Sequence, residues 1–204
     1  MLDPAALALV AITDDLRDGI VGLTGRAAAA VRGGATMVQL RLKHASGREL
    51  VEVARRLVET LPVPVVVNDR ADVALAVGAA GVHLGVDDLP VAAVRAIAPA
   101  GFVVGASFGT EEELRHARGA DYVGIGPIFG TTSKVDAGDA IGVAGFARLC
   151  ALGGMPALAI GGLTAENAAP LRQAGAAGIA VIRAVMGEAD PEAAARALRQ
   201  AFGR

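Results

Sequence analysis

Two cations and an amide stand at alternate positions in Gln39-Leu40-Arg41-Leu42-Lys43, and an amide-acid pair, Asn68-Asp69, stands ahead of Arg70. Further along come Asp87-Asp88, Ser107, the stretch Thr131-Thr132-Ser133-Lys134, Gly161-Gly162 and Ile182-Arg183. Each group follows a short apolar run. Brought together, they have the makings of an anion-handling site. Mg²⁺ sheds water reluctantly and is typically held by one or two carboxylates, waters and phosphate oxygens, a role that suits Asp69 and Asp88. A diphosphate beside the metal keeps excess negative charge. Arg41 answers it with a bidentate fork, and Lys43 and Lys134 answer it as point charges. Thr131 and Ser133 add hydroxyl donors. Gly161-Gly162 and the backbone around Ile182-Arg183 offer amides to a separate monophosphate. Two anion sites imply two phosphorylated ligands.

The same inventory lacks a convincing general base or covalent nucleophile. No Cys or Glu sits at a strand end, and Ser107 has no evident histidine partner in the sequence. Chemistry that needs only positioning and stabilisation of a departing diphosphate fits best, which is transfer of an alkyl group by ionisation.

The elements that must position these residues alternate along the chain. ALVAIT, TMVQLR, VPVVVN, GVHLG, FVVGAS, YVGIG, ALAIGG and GIAVI read as eight strands. Between them lie helical patterns, among them GRAAAAVRG, ELVEVARRLVET, TEEELRHARG, VAGFARLCALG and PEAAARALRQAF. Eight β-strand and α-helix pairs in 204 residues predict an α/β fold, a single-domain (β/α)8 TIM barrel over residues 1–204. An internal repeat supports the count: Gly34-Ala35, Gly78-Ala79, Gly119-Ala120 and Gly175-Ala176 each end a helical pattern just before a strand. An open doubly wound sheet is the alternative, and the absence of GxGxxG after the first strand argues against it. In a barrel the functional residues gather at the C-terminal ends of the strands, where every group above falls. Period-two alternation puts Gln39, Arg41 and Lys43 on one side of the second strand.

Several patterns are set aside. Asp14-Asp15-Leu16-Arg17-Asp18 has the form DDxxD but opens the first helix, where capping explains it. GPIFGTTSK, residues 126–134, is no phosphate loop of the Walker kind, because Lys134 runs into VDAGDAIG and not straight into a helix. His44 and His116 read as solvated, His83 as a packed, hydrogen-bonded histidine inside the barrel, and Cys150 as a buried packing residue. Net charge is -2, with no Trp and one Tyr, so neither a basic footprint nor a stacking platform for nucleic acid exists. Apolar runs stop well short of the roughly twenty residues that cross a bilayer. MLDPAALALVAITDD carries Asp in place of a basic leader, and the expectation is a cytoplasmic protein. Self-association into a homo-oligomer stays open.

QLRLK, VNDRADVALAVGAAGVHLG, DYVGIGPIFGTTSK and AIGGLTAENAAPLRQAGAAGIAV, in that order, resemble the thiamine-phosphate synthase family over nearly the whole chain. The resemblance implies a (β/α)8 barrel that uses Mg²⁺ to join hydroxymethylpyrimidine diphosphate to a thiazole phosphate, giving thiamine phosphate and diphosphate. It implies that Gln39, Arg41, Lys43, Asn68 and Lys134 hold the pyrimidine diphosphate and that Asp69 and Asp88 bind the metal. Ser107 would stand near the transferred methylene, with Ser107, Arg41 and Lys134 the catalytic set. Thr131 and Ser133 would contact the thiazole substrate, and Gly162, Ile182 and Arg183 would surround its phosphate. The chain departs from the family's usual pattern at Leu42 (Glu), Val86 (Gln), Gly109 (His), Gly130 (Pro) and Arg183 (Ser). Two rival readings share these motifs: a thiazole tautomerase, which is an isomerase expected to lack the metal aspartates and Lys134, and a barrel that binds phosphate ligands without turnover.

Overall fold

The computed structural model describes residues 2–131 and 138–203. Eight parallel strands close into a barrel in sequence order: β1 (Leu9–Ile12), β2 (Met37–Leu40), β3 (Val65–Asn68), β4 (Gly81–Leu84), β5 (Val103–Phe108), β6 (Tyr122–Ile125), β7 (Ala157–Ile160) and β8 (Gly178–Val181), with β8 pairing back onto β1. The helices outside are α1 (Gly19–Arg32), α2 (Gly47–Thr60), α3 (Ala71–Val77), α4 (Val91–Ile97), α5 (Gly142–Gly153), α6 (Ala169–Gln173), α7 (Arg183–Met186) and α8 (Pro191–Phe202).

β-Branched and small apolar residues make the strands because both of their faces are buried. Leu7, Val10, Ile12, Met37, Val66, Val103, Tyr122, Leu158 and Ala180 fill the barrel interior, while a larger apolar layer lies between strands and helices. In α2, Leu50, Val53, Ala54 and Leu57 supply the inward stripe at helical spacing. Its start is fixed by Ser46, whose hydroxyl accepts from Glu49 N–H while the Glu49 carboxylate accepts from Ser46 N–H.

The Gly-Ala repeat has one structural meaning. Gly34, Gly78, Gly119 and Gly175 all have positive φ. After α1, α3 and α6 the following alanine N–H reaches back five residues, Ala35 to Ala30, Ala79 to Ala74 and Ala176 to Leu171. This contact closes a left-handed helix end and drops the chain into the next strand. The fourth copy differs. Ala120 N–H reaches only to Ala117, because TEEELRHARG forms a short 3-10 helix, Glu113–Ala117, in place of the expected α-helix. The Asp14 to Asp18 segment also departs from expectation. Asp18 precedes α1 without a side-chain capping bond, and the acidic residues instead engage Arg17 and Arg26. Cys150 is half-buried, not fully buried, and burial pushes its thiol up to about 11.

Candidate active site

β2 ends at Leu40, so strand alternation governs Gln39 alone, and Arg41 and Lys43 lie in the turn beyond it. Arg41 is held by another strand's end. The fully buried Thr13, just past β1, accepts from Arg41 N–H at 2.8 Å and donates its hydroxyl to the Arg41 carbonyl at 3.0 Å. One threonine thus fixes both backbone polar groups of the cation, at a position where nothing in the local sequence marks it. Inside the mouth the buried Gln39 donates its side-chain amide to the Asn68 Oδ1 at 2.7 Å.

Asp69 follows Asn68 with φ of 64°, the one non-glycine residue at positive φ among the described residues. A strained backbone of this kind costs on the order of 1–3 kcal/mol and collects at functional sites. Asp88 comes in from the loop after β4, one oxygen accepting from Gly85 N–H at 2.6 Å. Asp69 lies at the exposed rim, yet its carboxyl is walled in where it meets Asp88. Burial first, and then the neighbouring Asp88 carboxylate, push its pKa up to about 7 against the opposing pull of Arg41 and Asn68. Two crowded carboxylates with hard oxygen donors suit a small divalent cation, which relieves their repulsion. Among the described residues no group of three or more His, Cys, Asp or Glu side chains is arranged to hold a metal ion. Asp69 and Asp88 are the carboxylates at this mouth that could contribute to such a site.

Ser107 points inward from β5, and here the structure corrects the sequence reading that it lacks a histidine. His83 Nε2 lies 2.8 Å from the Ser107 Oγ, and His83 Nδ1 lies 3.1 Å from the Tyr122 hydroxyl. His83 is packed and hydrogen-bonded as expected. Sequence could not pair these residues, because the contact depends on the register that sets His83 beside Gly105 and Gly105 beside Tyr122.

After β6 the chain keeps pairing with β7: Ile128 N–H donates to Ile160 and Phe129 N–H to Gly161. Gly161 and Gly162, with φ of 101° and 65°, are glycines for a reason of space. A Cβ on the first would lie 2.7 Å from Pro127 Cα, and on the second 2.6 Å from the Gly130 carbonyl oxygen. Asn167 fixes the turn by donating its amide to the Gly162 carbonyl at 3.0 Å. Thr131 stands at the edge of this segment. Thr132, Ser133 and Lys134 lie outside the described residues. Past β8, Ile182 leads into α7 and Arg183 is exposed at its start.

Strand ends therefore gather Gln39, Arg41, Asn68, Asp69, Asp88, Ser107, Thr131, Gly162, Ile182 and Arg183 at one mouth, with Lys43 exposed in the turn after β2. A cleft of about 160 Å³ beside Asp88 reaches Ser107, too small for a drug-sized ligand of its own. A larger groove, about 500 Å³, lies among Ala193, Ala197, Leu198 and neighbours and is lined by none of these residues. The chemistry points to the strand ends and not to the larger groove.

Residues 9–185 match the family described as thiamine monophosphate synthase. A thiamine-phosphate synthase of Azorhizobium caulinodans is 48% identical over 204 residues, covering 98% of this chain and 96% of the relative. One from Methanoculleus marisnigri is 48% identical over 181 residues, covering 86% of each chain. Among solved structures, a thiamine phosphate pyrophosphorylase from Pyrococcus furiosus superposes with a TM-score of 0.86 at 38% identity, over 98% of this chain and 96% of the other. A 3-hexulose-6-phosphate synthase, 18% identical with a TM-score of 0.71, shares the fold alone. With a closed eight-stranded barrel and likeness along nearly its whole length, the chain belongs to the thiamine monophosphate synthase family.

Proposed function

We propose that this mouth joins hydroxymethylpyrimidine diphosphate to a thiazole phosphate, with the residues gathered there in the following roles. The activity is that of the family: thiamine-phosphate synthesis, a transfer that releases diphosphate as a step of thiamine biosynthesis. The crowding of Asp69 against Asp88, with the Arg41 charge close enough to act on it, is the observation that carries the assignment of roles.

Asp69 and Asp88 hold Mg²⁺, which when bound draws off charge from the diphosphate oxygens. Arg41, Lys43 and Lys134 neutralise the remainder, and Gln39 and Asn68, already paired with each other, orient the pyrimidine. The bond from the methylene to the diphosphate oxygen breaks with its electron pair leaving on the diphosphate. Ser107 stands beside that oxygen. The thiazole ring nitrogen, delivered by Thr131 and Ser133, then forms the new bond to the methylene. The amides at Gly162, Ile182 and Arg183 hold the thiazole phosphate, and Arg183 adds a charge-assisted contact of about 1.5–3 kcal/mol. One barrel domain of the cytoplasm, residues 1–204, carries all of this. No helix among the described residues is long and apolar enough to cross a membrane.

Purified protein with both substrates and Mg²⁺ is expected to release thiamine phosphate and diphosphate in equal amounts, and chelation by EDTA to stop it. Isomerised thiazole phosphate without coupling would establish the tautomerase instead. Substrate binding with no turnover would establish a binding barrel.

A further inference from the structure

Deep in the mouth, below the groups assigned above, a phenol and an imidazole occupy space that the barrel has cleared for them. A Cβ on Gly105 would lie 2.3 Å from the Tyr122 ring, 2.5 Å from its hydroxyl and 2.6 Å from His83 Nδ1. A Cβ on Gly124 would lie 3.3 Å from His83 Cε1 and 3.7 Å from the Ser107 Oγ. Two inward strand positions thus stay bare so that the Tyr122, His83 and Ser107 side chains can line up across β6, β4 and β5.

The line has a direction. Tyr122 is fully buried, and burial with the nearby Asp121 charge holds its phenol protonated, far above the ordinary range. A buried O–H must donate, and His83 Nδ1 is its acceptor among the described residues. With Nδ1 serving as acceptor, a neutral imidazole carries its proton on Nε2, which then donates to the Ser107 Oγ at 2.8 Å. A serine whose oxygen already accepts from histidine keeps its own hydrogen for another partner. We infer that Tyr122 and His83 are positioning residues which, through this fixed tautomer, turn Ser107 into a hydrogen-bond donor toward the departing diphosphate oxygen. The inference rests on the placement of Ser107 beside that oxygen. It differs from a nucleophile-activating pair, in which the histidine would accept the serine proton and leave only lone pairs facing a ligand that is itself negative.

The test compares kcat and KM of variants in the Mg²⁺-loaded enzyme. Ser107→Ala is expected to lower kcat on the order of 10²-fold. Tyr122→Phe conserves volume and is expected to lower kcat about tenfold, with KM for both substrates little changed. The Ser107→Ala/Tyr122→Phe double variant is expected to be no slower than Ser107→Ala alone, since both act at one hydrogen bond. His83→Gln, which keeps an N–H near the Nε2 position, is expected to retain most activity, whereas His83→Leu falls to the Ser107→Ala level. A nitrogen-15 correlation spectrum of the three imidazoles reads the tautomer without any substrate, and Nε2–H is expected at His83. Full kcat in Ser107→Ala would overturn the role of Ser107 and the use of the relay together. Full kcat in Tyr122→Phe beside a slow Ser107→Ala, multiplicative losses in the double variant, or an Nδ1–H tautomer would overturn the relay alone.

Discussion

At the scale of single residues the site is a problem of holding charge in place before any ligand arrives. Asp69 keeps a left-handed backbone and a carboxyl that resists ionisation, and Arg41 is clamped by Thr13. Preorganised groups of this kind act on a charge that grows in the transition state, without reorganising as it grows. Lys134, outside the described residues, joins this set only in the roles proposed above. Lys134→Ala is expected to lower kcat/KM on the order of 10²-fold in the coupling assay, and near-normal activity would remove the lysine from the diphosphate. The strand-end placement of Gln39, Asn68, Asp69, Asp88 and Ser107 was legible in the sequence because residue type and strand-end position coincide. Thr13 and Tyr122 were not singled out, and His83 was read only as packed and hydrogen-bonded, because their contacts follow from cross-strand register and not from spacing along one element. Alternation also overreached at Arg41 and Lys43. β2 ends one residue earlier, and only Gln39 owes its direction to the pleat.

At the scale of elements, repeated local chemistry makes the barrel readable. The Gly-Ala pairs announced helix ends, and the contact to the carbonyl five residues back repeats three times. The fifth connection escaped that logic because a 3-10 turn with Glu113 bonded to Gly109 N–H fills the space of a helix. The segment ahead of α1 escaped as well, since capping and ion pairing call for the same acidic residues. Here Arg17 donates to the Met186 carbonyl at 2.6 Å while pairing with Asp14, and Arg26 reaches Asp14 at 3.1 Å. Burial alone would raise the Asp14 pKa, but the Asp15 N–H and the two guanidiniums outweigh it and hold it below the ordinary 3.8. A carboxyl depressed on folding contributes stability that is complete above its unfolded value and is lost as pH falls through the lower folded one. Asp14→Asn is therefore expected to cost about 1–2 kcal/mol at pH 7 in urea titration, and the gap to close as both proteins are titrated below about pH 3.

At the scale of the whole molecule, closure is completed by residues far apart in sequence. β1 pairs with β8, and α1 packs on α8 at Gly33, where a Cβ would lie 2.2 Å from the Glu192 carbonyl oxygen and 2.8 Å from the Ala195 Cβ. Arg32 pairs with Glu192 at the same seam, though exposed, and the packing matters more than this ion pair. Gly33→Ala is expected to part the seam at a cost of about 2–3 kcal/mol, lowering Tm by roughly 5–10 °C. Arg32→Ala is expected to shift Tm by no more than about 2 °C. Differential scanning calorimetry separates the two.

The stretch from Pro127 to Phe129 is bonded on two sides. Pro127 and Ile128 accept from Ile141 and Gly142, while Ile128 and Phe129 lean on the β7 end. A side chain at Gly130 would meet nothing within 4 Å. Gly130, at the open edge of that frame, therefore has room for a larger residue that leaves the ends of β6 and β7 in place.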